Sequence, residues 1–265
     1  MSLAAYSQYW RLNALTMFEY RANFALWAGF NVVYYGTAIA ALWVTLHQFP
    51  SMNGWDFRQM AFLYGLWMLG AQTHFTSFSG VDQVPTLIRE GSFDRFLVRP
   101  LDPLFSAITI PAQVWPDKLI IAIVIFCTAT AYAGVHVDLG FVLLVPLIAV
   151  GGAFIEFGIQ LAIVTASFWV IRIDTLRWLV MSLEQNFTRY PISIYTPPVR
   201  FVLTFVLPFA FMNYFPASFF LHKTDGALLL SPWLGLLTPL VGVMWLAVAY
   251  AFWRAGLAHY QGTGS

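Results

Sequence analysis

Long stretches of this chain carry no charge, and that constrains its fold more than any motif does. Thirty-four uncharged residues lie between Arg21 and Asp56, 23 between Arg58 and Asp82, 19 between Lys118 and Asp138, 22 between Arg200 and Lys223, and 28 between Asp225 and Arg254. Between Asp138 and Arg172 the only charge is Glu156. A helix needs about 20 mostly apolar residues to cross the hydrocarbon of a bilayer, so these gaps predict six spans, at about 24–46, 59–80, 115–135, 140–170, 201–221 and 231–253. The runs are continuously apolar rather than alternating, which selects helices over barrel strands. The stretch Leu104–Trp115 is interrupted by Pro111, with Pro116 following, and leaves the start of the third span open.

Composition removes the other classes. Charged residues make up 9% of the 265, against about a quarter in a soluble domain. Forty-eight aromatics argue against disorder. A net charge of +1 without a basic stripe offers nothing to nucleic acid, and one cysteine, Cys127, excludes an internal disulfide or a multi-cysteine metal site. Cys127 sits in an apolar run and is expected to be a small core side chain.

Six spans place both ends of the set on one side. With the N-terminus cytoplasmic, ten arginines fall in inner segments and only Arg58 and Lys223 in outer ones, with Lys118 ambiguous. The expected whole is an all-α polytopic integral membrane protein, one transmembrane domain over 1–265. Residues 1–23 are expected to form an interfacial helix, since Leu3, Tyr6, Trp10, Ala14 and Met17 share one face; no cleavable signal segment is evident. Two cytoplasmic segments follow, a loop at 81–103 and a second loop at 172–200. Trp27, Trp43, Trp169, Trp233 and Trp253 near span ends suit interfacial anchoring.

In the 81–103 loop, Asp82 is placed to cap a short helix, Pro85 to start it and Gly91 to end it. Leu87, Ile88, Phe93 and Phe96 alternate with Arg89, Glu90, Asp94 and Arg95. Bulky side chains between charges suit a groove on a soluble partner, or the headgroup layer of the membrane lipid. The string from Gly91 to Leu104, GSFDRFLVRPLDPL, resembles the hallmark loop of one branch of ABC-2 type transporter permeases. The stretch Tyr190–Tyr195 continuing through Arg200 to Pro208–Phe211 and Tyr214–Ala217, and the tail Gly256–Tyr260 with Gly262–Ser265, are similar to the same branch. The tail departs in having Ala258–His259 where the family often has a basic pair.

The resemblance implies an ABC-2 (type V exporter-like) fold in the cell (plasma or inner) membrane, with residues 81–103 as the coupling element. It also implies two permease chains, related or identical, and two separate ATPase subunits binding ATP and magnesium. The chain itself has no phosphate-cradling loop, since neither Lys118 nor Lys223 follows a glycine. No cofactor is expected in it and no catalytic role.

For the substrate path, Glu156 is the one acid near mid-span, flanked by Gly151, Gly152 and Gly158; it either lines the path or hydrogen-bonds Asn31 or Lys118. The fifth span carries Pro208 and Pro216 with Asn213 between them, and is expected to be kinked or broken. Phe209, Phe211, Asn213 and Tyr214 there, with Asn31, Tyr34 and Tyr35 of the first span, form the expected pathway wall. Aromatic faces beside an acid suit an amphiphilic, drug-like or cationic organic substrate. The alternatives are an ion-coupled carrier or channel using Glu156, and less readily an intramembrane enzyme, for which no convergent catalytic groups are evident.

Overall fold

A computed structural model describes residues 11, 21–49, 51–109, 115–170, 172–224 and 231–260. The expected interfacial helix at 1–23 lies almost wholly outside the described residues. Those described form helices, with one isolated β-bridge between Met52 and Trp55. In chain order the helices are α1 (Arg21–Gln48), α2 (Phe57–Phe78), α3 (Val84–Arg89), α4 (Asp94–Leu97), α5 (Pro103–Thr109), α6 (Pro116–Ala133), α7 (Leu139–Thr165), α8 (Asp174–Phe187), α9 (Pro197–Phe201), α10 (Phe209–Met212), α11 (Tyr214–Phe220) and α12 (Thr238–His259).

Local chemistry sets the ends. The Asp56 carboxylate accepts from the Gln59 amide at 2.9 Å, and the Gln59 side chain accepts from the Asp56 amide at 3.2 Å, a capping box that starts α2. Pro116 opens α6 and Gly134 closes it at φ 67°, a left-handed position that suits glycine. Asp138 caps α7 through the Phe141 amide at 2.7 Å.

Four of the helices, α1, α6, α7 with its following turn and α12 with its preceding turn, are long and apolar enough to cross a membrane. The helix α2 has 22 residues, about 33 Å by rise, but carries Gln72, Thr73, His74 and Thr76 and is buried along most of its length. It is the central rod of the bundle and exchanges lipid contact for protein contact. One end of the bundle, the base, carries α3, α4 and α5, with the starts of α1 and α6 meeting there through Trp27 and Trp115 at 6.0 Å. The other end, the crown, carries the Met52–Trp55 turn and the α6–α7 connection, joined by Phe57 against Tyr132 at 6.2 Å.

Helices α7 and α12 run parallel and in close contact. A Cβ on Gly151 would lie 2.7 Å from the Pro239 Cα, and lower down Phe168 and Trp253 meet edge-to-face at 5.1 Å. Glycine here lets two backbones meet, as in membrane helix packing generally.

The structure corrects the fifth span. The segment before α9 and the segment after α11 are both tied to one crown turn: Asn53 donates to the Ser193 carbonyl at 3.4 Å, and Lys223 donates to the Gly54 carbonyl. Residues 197–220 therefore enter and leave at the same end. They form a hairpin, α9 with a turn of π-helix at Val202–Val206, then α10 and α11 after a 71° bend. The break falls at Pro208 and Asn213, as proline without an N–H dictates. What runs from base to crown is the segment read from sequence as a second cytoplasmic loop, 172–200. Arg177 of α8 meets Asp82 at the base, Glu184 meets Trp67 at the middle of α2, and Ser193 reaches the crown. Arg200 follows it to the crown, donating to the Ser193 and Tyr195 carbonyls at 2.6 Å each.

Candidate functional site

Helix α8 is amphipathic because one of its faces looks into the bundle. Arg177, Met181, Glu184 and Gln185 follow the i, i+4, i+7, i+8 spacing of one helical face, and all four line a cavity of about 260 Å³ between α1, α2, α7 and α8. A second cavity of about 640 Å³ toward the base shares Phe30, Asn31, Phe75, Asp82, Lys118 and Arg177 with the first, so the two adjoin.

The inner wall is polar and almost wholly buried. Glu156 and Glu184 are 4% and 6% exposed. Trp67 donates its indole N–H to Glu184 Oε1 at 2.8 Å, and Gln160 donates to Glu156 Oε1 at 3.0 Å. Both carboxyls face the same cavity. Toward the base, Asp82 and Arg177 form an ion pair at 2.9 Å, and Arg177 also donates to the Asp82 carbonyl at 3.2 Å. Burial pushes the Asp82 carboxyl above the usual carboxylate range, and the Arg177 guanidinium opposes it. Lys118 places its ammonium 3.7 Å from the Phe75 ring centre.

Four of the expected pathway residues meet here: Glu156, Asn31, Tyr34 and Tyr35 line the cavity. Asn31 does not pair with Glu156, however. It donates to Asp117 at 2.7 Å, an acid in the first turn of α6. Tyr34 donates to Gln185 at 3.1 Å, tying α1 to α8. The other four, Phe209, Phe211, Asn213 and Tyr214, do not line it. They are buried in the crown hairpin, where Asn213 donates to the Thr188 carbonyl at 2.7 Å and Tyr214 faces Trp55 at 5.8 Å. Sequence reasoning missed Glu184 and Arg177, although the spacing along α8 carried the signal, and Gln160, one turn beyond Glu156 on α7.

The base loop needs a second correction. Phe93 is fully buried and Phe96 is 5% exposed, so neither is presented to a partner. Phe93 is enclosed by Tyr260 at 5.3 Å, Phe168 at 5.7 Å, Phe96 at 5.9 Å and Trp253 at 6.1 Å. Their apolar area goes into a clasp that fixes the loop to the ends of α7 and α12. Trp253 belongs to this clasp, at 1% exposure, rather than to an interface anchor. Leu87 and Ile88 are half-buried against the same cluster and Asp94 is half-buried. Arg89, Glu90 and Arg95 are exposed, and Arg89 faces Asp174 at 3.7 Å. Burial and the Asp94 carboxylate push the Tyr260 hydroxyl up to about 12, so it stays neutral at physiological pH. Asp82 lies in a 3-10 turn and pairs with Arg177 instead of capping α3. Cys127 is exposed on the outer face of α6, not in the core.

Among the described residues no three His, Cys, Asp or Glu side chains converge as a metal set. The architecture defines a helical, polytopic membrane protein with a polar chamber inside its bundle. A family model described as ABC-2 family transporter protein matches residues 32–264, and the chain belongs to that family. It is a permease subunit of an ABC transporter, a type that associates with ATP-binding subunits. No curated protein and no solved structure matches it.

Proposed function

We propose that this chain forms half of the membrane pathway of an ATP-driven exporter in the cell membrane. Two such permease chains, identical or related, stand over two ATPase subunits that bind ATP and magnesium. The pathway runs through the two adjoining cavities, and their polar wall inside an apolar bundle is the observation that carries the reading. A protein does not bury Glu156, Glu184, Gln72 and Gln160 facing one space in a membrane without a use for them. The cargo is an amphiphilic, drug-like organic molecule. The six passes are α1, α2, α6, α7, the α8 segment up to residue 195, and α12, with the base cytoplasmic.

The exposed charges Arg89, Glu90 and Arg95, with Asp94 and the half-buried Leu87 and Ile88, form the docking surface for the ATPase; Phe93 and Phe96 hold it in place. Hydrolysis moves the docked loop and rocks the attached helices between inward-open and outward-open states. Co-expression with a candidate ATPase, purification of the complex and ATP-dependent transport into inverted vesicles test this. Charge reversal at Arg95 is expected to keep assembly in detergent but abolish transport. Transport that persists without any ATPase and collapses with the proton gradient would replace this reading with an ion-coupled carrier.

A further inference from the structure

Three hydrogen-bond acceptors of the inner cavity are left without a donor. Glu156 Oε2, Gln160 Oε1 and Gln72 Oε1 are all buried and find no partner among the described residues. The three side chains belong to residues only 4–5% exposed, and all line the same 260 Å³ space. Two of the donors beside them are taken, the Gln160 amide by Glu156 Oε1 and the Trp67 indole by Glu184 Oε1, while Arg177 Nε and His74 Nδ1 on the same wall are also buried without a partner. Of the cations on the wall, Arg177 is paired with Asp82, Lys118 lies over Phe75, and Arg189 is beside Tyr64. Aromatic faces complete the enclosure, with Tyr64 and Trp67 rings 5.3 Å apart.

Buried polar atoms in folded proteins are normally satisfied, so three orphan acceptors around one space describe a ligand that brings donors. A primary ammonium has three N–H donors, no acceptor and a positive charge. It matches three acceptor oxygens and the negative faces of Tyr and Trp rings. An anion would face the Glu156 and Glu184 carboxyls and bring no donor to the three orphan acceptors, and a neutral alcohol would bring one. The space, room for about nine waters, takes a head group. The larger cavity beside it, where Trp27, Phe30, Phe75 and Trp115 stand among polar side chains such as Asn23 and Gln83, takes the body on its aromatic side.

We infer that the chamber recognises a primary ammonium group carried on an aromatic or apolar body, with Glu156, Gln160 and Gln72 as its hydrogen-bond acceptors. This rests on the chamber being the permease pathway and names the class of its cargo. The test uses the full chain in nanodiscs, with empty nanodiscs as background, and three probes: 2-(1-naphthyl)ethylammonium, its N-trimethyl analogue and 2-(1-naphthyl)ethanol. Saturable binding of the primary ammonium is expected, at least tenfold tighter than either of the others, because only it offers both charge and three N–H groups. Glu156→Gln is expected to weaken it tenfold or more, and Gln72→Leu severalfold. Equal binding of the three probes, no saturable binding of the ammonium, or an affinity unchanged by both substitutions would overturn the inference. The probe comparison on the unaltered chain stands even where a variant fails to fold. Binding needs no ATPase, so a negative result leaves the permease assignment standing. A chain that binds the ammonium but assembles with no ATPase would remove that assignment instead.

Discussion

Replacing Phe93 by alanine isolates the clasp that fixes the base loop. The side chain is fully buried, with four aromatic rings between 5.3 and 6.1 Å from its own. Truncating a core phenylalanine costs about 3–5 kcal/mol, part of it from edge-to-face contacts of roughly 0.5–1.5 kcal/mol each. The loss is local, because the four rings around Phe93 come from α4, the turn after α7 and the end of α12. At about 1.4 kcal/mol per decade, the equilibrium for opening residues 93–97 shifts by roughly 100- to 4000-fold. Amide hydrogen exchange of the chain in nanodiscs reads that number directly, since protection in this regime reports the opening free energy. Protection of residues 93–97 is expected to fall by that factor while the amides of α2 and α7 keep theirs. Phe93→Leu, which retains most of the volume, is expected to fall between. In the assembled transporter the same variant is expected to hydrolyse ATP without moving cargo, because the docking surface persists on a loop no longer held to the bundle. Unchanged protection in Phe93→Ala would refute the reasoning.

Other consequences are open to simpler measurements. On a Cys127→Ser background, cysteines at Asn53, Thr196 and Lys223 should all react with an impermeant thiol reagent from one face of the membrane, and a cysteine at Arg99 from the other; labelling of 196 and 223 from opposite faces would restore 201–221 as a crossing. Arg177→Ala leaves Asp82 buried without its partner and is expected to destabilise by about 3 kcal/mol, seen in thermal unfolding, with recovery in the charge-swapped double variant. Arg89→Ala removes an ion pair whose partners are 45% and 72% exposed, so its effect should stay below about 0.5 kcal/mol. Gly151→Leu must push α7 and α12 apart and is expected to cost at least about 3 kcal/mol, whereas Gly29→Ala, with open space around it, should leave the melting temperature unchanged.

Much of this fold is legible in the sequence, and the reason it fails where it does is physical. Helices α1, α6, α7 and α12 show themselves because they face lipid, and a lipid-facing helix has to be apolar along its length. Helix α8 is hidden because one of its faces looks into the bundle. Arg177, Glu184 and Gln185 face the chamber, so α8 reads as a charged loop, while the apolar stretch at 201–221 was a better composition match and yet turns back at Pro208 and Asn213. Hydropathy reports what surrounds a segment, and inside a bundle with a polar interior that is not the bilayer. The same limit explains the site. Glu156, Asn31, Tyr34 and Tyr35 were identified because each stands out against an apolar run, whereas Glu184 sits among other charges and gives no such contrast. In the base loop, Phe93 and Phe96 looked like bait for a partner because their partners within the chain, Phe168, Trp253 and Tyr260, are 72 or more residues away.

Helix α8 has its foot and its middle in two different neighbourhoods. Its first turns are pinned to Asp82, three residues from the proline that opens the base loop, and Glu184 sits ten residues above Asp174, about 15 Å along the rod. A stiff rod of that length cannot have one end moved and the other left alone. Any tug delivered through the loop must therefore drag the Glu184 carboxyl across the hollow it faces, loosening whatever is held there. Grip and release would then be a matter of leverage, with no change needed in the strength of any single bond.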